Sequence, residues 1–295
     1  MYNVRNHARC VTLLVVCHTI AFAHPSDLSP LWPSQDESTR AIRQAIESGQ
    51  ALRVAALLQR LDPVNRNLWQ GILSITQNDA NGAIRSLRRA DNPKALGLAY
   101  YLAGQHILFR AQMEEAIRRD PRDFGPYYYL GRHYDSDVDN AEEAVKWLRL
   151  ALERKRDYAP AISYLGNCLE RLGKSAEAQA AYNASPAMAQ SQLGLARLHL
   201  AAADASAAVS FIEKAISLDR RDARALKLAA RIYGELNRPH DAIRALESAA
   251  AVAPRDASIR YQLARAYKSA GNDPAKSAAA MRDFERLRAI YGLSP

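Results

Sequence analysis

The sequence predicts an all-α solenoid of about eight helix-turn-helix repeats, and three observations predict it. First, residues 222–256 carry two helical periods broken by Leu236-Asn237-Arg238-Pro239. Leu226, Ala229, Ala230 and Tyr233 share one face of the first period; Ala242, Leu246 and Ala249 share one face of the second. Second, the small residues Gly97, Gly131, Gly166, Ala196, Ala230 and Ala264 recur at steps of 34, 35, 30, 34 and 34. Third, no strand-like alternation rich in Val, Ile and Thr follows residue 23. A near-constant step of this length marks units that bury their apolar faces only against neighbours.

Residue size carries as much of the signal as hydrophobicity. Ala230, Ala242 and Ala249 are small where two helices cross closely, and Leu226, Tyr233 and Leu246 fill the space beside the crossing. Pro254 lacks an amide hydrogen and turns the chain toward the next unit. With aliphatic residues in the two large aromatic slots, this pattern resembles the tetratricopeptide repeat. The resemblance implies a right-handed superhelix of helical hairpins that binds other proteins.

In chain order, residues 1–9 are short and positive, and the apolar run from Cys10 to Ala23 ends in Ala21-Phe22-Ala23. Small-x-small at that place is a signal-peptidase pattern, so residues 1–23 are expected to be a bacterial-type export signal. The expected location is periplasmic or secreted, with a membrane tether through an uncleaved N-terminus as the alternative. Leu14-Val15-Val16-Cys17 faintly resembles a lipoprotein box, but Val16 is bulky where a small residue is required. Residues 24–35, with Pro25, Pro30 and Pro33, read as an extended linker whose Trp32 packs back on the first helix.

The solenoid is expected over residues 36–291. Residues 36–93 hold two degenerate hairpins. Ile42, Ala45, Val54 and Leu58 mark the first, and Leu68 to Ala90 form the second, with 78–82 as its turn. Residues 94–274 hold the clear repeats, from Leu96-Gly97-x2-Tyr100 through Leu263-Ala264-x2-Tyr267. Residues 275–291 form a capping helix, with Met281, Phe284, Leu287 and Ile290 on one stripe and Arg282, Glu285, Arg286 and Arg288 outward.

Charge and motifs exclude more than they assign. Of the formal charge of +9, Arg5 and Arg9 belong to the leader, leaving 38 Lys+Arg against 31 Asp+Glu. That moderate excess suits solvated Arg-rich faces or an acidic partner. No phosphate-binding Gly-rich loop, G-x-S-x-G, H-E-x-x-H or C-x-x-C occurs, so an enzyme is not expected, nor a metal or other cofactor. The acidic stretch 135–140 lacks the glycine and terminal glutamate of a calcium loop. Cys168, the one cysteine after the leader, and His199, in the usual Tyr slot, read as packed helix residues.

In the family that the chain resembles, the first helix of each hairpin lines the concave surface. The resemblance therefore places Arg132, Asn167, Arg197, Arg231 and Arg265, each directly after a small residue, in the groove. One turn earlier on the same faces lie Tyr128, Lys227 and Tyr261. Arginine forks and stiff tyrosine rings suit a protein partner with an extended acidic segment. The function expected is a peptide-binding scaffold or assembly factor, with no nucleic-acid partner and no membrane span once the leader is removed. The alternative is a binder of acidic glycans or lipid headgroups at the envelope surface.

Overall fold

The computed structural model describes residues 25–31, 37–136, 139–271 and 273–291. The export-signal reading of residues 1–23, and Trp32, lie outside them. Among the described residues are sixteen α-helices, one 3₁₀ segment and no strand. The chain divides into two compact units. One holds the described residues up to Ser136 with Glu153–Lys155, and the other holds Asp139–Leu152 and the chain from Arg156 onward.

The first unit contains α1 (Glu37–Glu47), α2 (Ala51–Leu58), α3 (Pro63–Thr76), α4 (Ala80–Leu87), α5 (Pro93–Leu102), α6 (His106–Arg119) and α7 (Phe124–Ser136). α1 packs on α2, α3 on α4 and α5 on α6; α5 also meets α4 and α3, and α6 meets α7. The second unit contains nearly all of α8 (Ala141–Arg154), then α9 (Ala159–Arg171), α10 (Ser175–Asn183), α11 (Ala189–Ala201) and α12 (Ala205–Leu218). It continues through α13 (Ala223–Glu235), α14 (Pro239–Val252), α15 (Ala257–Ser269) and α16 (Pro274–Tyr291). Here α9–α10, α11–α12, α13–α14 and α15–α16 are hairpins, and first helices α9, α11 and α13 also touch in succession. Contacts between sequence neighbours of this kind are what a solenoid requires.

The small positions do what their spacing predicts. A Cβ on Gly97 would sit 2.6 Å from Met113 Cε, and one on Gly71 would sit 2.2 Å from Leu87 Cγ. Ala196, Ala230 and Ala264 are 0, 6 and 1% exposed. In the second unit one continuous core runs from Leu193 to Ala280, built largely from alanines of crossing helices and filled by Leu226, Leu246, Ile212 and Tyr267.

Prolines and acids set the boundaries. Pro63, Pro93, Pro239 and Pro274 each open a helix, where a missing amide hydrogen costs no bond. Asp62, Asp79, Asn92, Asp204, Asp222 and Asp256 cap the helices that follow them. Two local expectations differ. The turn read at 78–82 ends sooner, because Asp79 accepts Gly82 N–H at 2.8 Å and α4 starts at Ala80. Pro25–Leu31 is 3₁₀ rather than extended, with Leu31 2% exposed. Proline's fixed φ of about −65° serves both conformations, so composition does not separate them.

His199 is half-buried and stacks on Phe211 at 5.0 Å, and Cys168 is fully buried. No helix among the described residues is long and apolar enough to cross a membrane.

Candidate groove site

The residues predicted to face a groove fall into three groups. Tyr128 and Arg132, both in the first unit, are 0 and 3% exposed. α7 carries Tyr127, Tyr128 and Tyr129 in succession, so whichever face packs inward takes rings with it, and all three are buried.

In the second unit, Asn167 and Arg197 meet, but around an acid of the chain's own. Arg197 donates from Nε and Nη2 to the two Glu170 oxygens at 2.9 and 2.7 Å. Its Nη2 also lies 3.4 Å from Asn167 Oδ1 and 3.3 Å from the Tyr182 hydroxyl, which donates to Glu170 at 2.9 Å. The Tyr182 ring fills a slot that only glycines leave open: a Cβ on Gly166 or Gly194 would come within 2.6 or 2.2 Å of it. Burial works against the Arg197 charge, yet the Glu170 bonds outweigh it and raise its pKa. Burial first, then the Glu170 charge, pushes the Tyr182 hydroxyl well above the usual tyrosine value.

Lys227 is also engaged. Its Nζ donates to Asp256 Oδ2 at 2.9 Å, with the two side chains 31 and 30% exposed. Asp256 Oδ1 meanwhile accepts the Ser258 amide at 2.9 Å and the Ser258 hydroxyl at 2.6 Å. Burial alone would raise the Asp256 pKa, but the bonds from Ser258 and Lys227 hold it below the usual carboxylate value. Arg224 is similarly tied to Asp222.

The third group is open. The Arg231 side chain is 70% exposed and reaches Glu235 only at 3.4 Å. Tyr261 is 40% exposed and leans on Phe284 at 5.3 Å between ring centroids. The exposed Arg265 lies 5.9 Å over the Tyr261 ring. Arg231 and Arg265 hold equivalent positions one repeat apart, on α13 and α15, and the Lys227–Asp256 bond ties the second turn of α13 to the cap of α15.

Reasoning from sequence missed the acids. Glu170 and Asp256 take up two of the predicted cations, and Phe284 supports the predicted tyrosine. One signal was available: Lys94 and Asp123 stand at the same separation as Lys227 and Asp256 and form the same bond, at 2.5 Å. Elsewhere, a cleft of about 280 Å³ lies between α2 and α3, lined by Val54, Leu58, Arg66 and Leu73. Another of about 200 Å³ is lined by Leu226, Tyr233, Asp241 and Arg244.

No family model matches the chain, and no curated protein does. Solved structures do resemble it. PilW, described as a widely conserved type IV pilus biogenesis factor, is 19% identical; the match covers 68% of this chain and 93% of that one, at a TM-score of 0.59. PilF of Pseudomonas aeruginosa is 18% identical over 69% of this chain and 92% of its own, at 0.60. A tetratricopeptide repeat protein from Parabacteroides merdae is 14% identical over 76% and 93%, at 0.56. At these identities the likeness is one of fold, and the fold is the α-solenoid of tetratricopeptide-type hairpins.

Proposed function

We propose that this chain is a non-enzymatic scaffold that binds another protein, and that the open face of its second unit takes an extended acidic segment of that partner. One observation carries the reading. Of the cations predicted to face a groove, Arg231 and Arg265 remain open, one repeat apart, and the exposed ring of Tyr261 lies beside Arg265. Arginine forks recognise carboxylates, and a supported tyrosine adds contact area at small entropic cost. Arg197 and Lys227 are instead bonded to the chain's own Glu170 and Asp256, and Asn167 to Arg197. The solenoid fold supports this reading, since stacked hairpins offer long exposed surfaces rather than closed pockets.

Each exposed ion pair is worth only about 0.2–1 kcal/mol, so affinity has to come from several contacts together. The test is a double reversal, Arg231→Glu with Arg265→Glu, titrated with a fluorescein-labelled acidic peptide. Binding is expected to be lost while helicity is retained; unchanged affinity rejects the site.

Export forms part of the same proposal. The leader-like residues 1–23 support a periplasmic or secreted scaffold. N-terminal sequencing of the protein purified from its own cells is expected to begin at His24, and a retained Met1 supports the tethered alternative.

A further inference from the structure

The open face of the second unit contains a carboxylate of its own. Asp256 uses its two oxygens separately: Oδ1 caps α15 through Ser258, and Oδ2 accepts Lys227. Lys227 and Arg231 lie one turn apart on the same side of α13, and α15 carries Tyr261 and Arg265. A carboxylate arriving at Arg231 therefore meets a lysine already occupied by Asp256.

We propose that Asp256 is an internal competitor for the acidic partner, and that it makes this face select segments bearing two carboxylates rather than one; the proposal rests on the acidic-segment reading above. An incoming carboxylate takes Lys227 only by displacing Asp256 Oδ2. The cap through Oδ1 is independent of that exchange, so α15 keeps its N-terminus. A ligand whose only acid goes to Lys227 trades one ion pair for another and gains little. A ligand with a second acid adds a new pair at Arg265, and the exchange becomes favourable. A single lysine side chain joins α13 to the cap of α15, so acids bound at Lys227 and at Arg265 have to come from one stretch of the partner. In a polyproline II segment, residues i and i+3 lie on one side about 9 Å apart. The probe is therefore an extended segment with acids three residues apart.

The first unit supplies an internal control. Lys94–Asp123 repeats the bond, and Asp123 Oδ1 likewise caps its helix by accepting Gly125 N–H at 2.8 Å. There, however, Leu98 replaces Arg231, and Tyr128 and Arg132 are buried. Asp123 therefore has no ligand to compete with.

The experiment measures fluorescence anisotropy of two labelled peptides, one with a Glu-Pro-Pro-Glu core and one with Glu-Pro-Pro-Gln. They are titrated with the wild-type chain, Asp256→Asn and Asp123→Asn. Asparagine keeps the cap oxygen and removes the competing charge, and circular dichroism checks that helicity is unchanged. Wild type is expected to prefer the paired-acid peptide by about ten-fold. Asp256→Asn is expected to tighten the single-acid peptide by about the same factor and narrow the preference, and Asp123→Asn is expected to leave both affinities alone. If Asp256→Asn changes neither affinity while Arg231→Glu with Arg265→Glu still abolishes binding, Asp256 is only a cap, and the partner reading stands without it. If the double reversal also has no effect, the face itself is misassigned. Preference for vesicles of phosphatidylglycerol over both peptides would overturn the peptide partner in favour of a lipid surface.

Discussion

Lys94, Asp123, Tyr128 and Arg132 in the first unit occupy the same register as Lys227, Asp256, Tyr261 and Arg265 in the second. Both units form the lysine–aspartate bond, and both use the other carboxylate oxygen as a helix cap. Their surroundings differ. In the first unit the lysine and aspartate side chains are 16 and 23% exposed, and the tyrosine and arginine are buried. In the second the pair is about one-third exposed, and the tyrosine and arginine are open. A repeated motif is therefore structural in one place and available in another, and what decides is how much neighbouring chain covers it.

Tyr182 is 1% exposed at the centre of the Glu170–Arg197 network, so its loss should have the largest effect. Tyr182→Ala empties the slot between Gly166 and Gly194 and strips a partner from Glu170 and Arg197. It is expected to destabilise the second unit by about 3–5 kcal/mol, read from urea unfolding. Next comes the pair itself. Lys94→Met leaves Asp123 without its partner in a largely covered site and should cost about 1–3 kcal/mol, whereas Lys227→Met should cost under about 1 kcal/mol. Equal losses would erase the distinction between the two units.

Titration sharpens the picture at alkaline pH. Burial, reinforced by the Glu247 carboxylate that accepts its hydroxyl at 2.6 Å, pushes Tyr267 up to about 12. Because the folded value lies above the ordinary value of 10, its contribution is complete below pH 10 and is lost as pH rises toward 12. Tyr267→Phe should flatten that part of the stability profile. A profile that falls equally steeply in the variant would assign the loss to another group. The smallest effect concerns Ala203, which holds φ at +60° where the corresponding turns use Gly104 and Gly173. Ala203→Gly should stabilise by about 0.5–1 kcal/mol, since the left-handed region costs an alanine but not a glycine.

The hairpins were legible because their signal is local and repeated. Gly97, Gly166, Ala230 and Ala264 announce close helix crossings by size alone, and each is buried at one. The site was legible only in part. Position after a small residue, or one turn before it on the same face, identified Arg231, Tyr261 and Arg265, which are exposed, but also Arg197 and Lys227, which are bonded to Glu170 and Asp256. A helical register gives the direction in which a side chain leaves its helix; it does not say which acid waits there from a segment 27 or 29 residues away.

The sequence alone determined the repeat length, the helix faces, the caps and the stops, because each depends on residues within a turn or two of one another. Tertiary structure decided which cations stay open and which copy of the shared motif is covered. Those outcomes depend on charge pairing and burial between helices far apart in the chain, and burial belongs to the stack rather than to any one repeat.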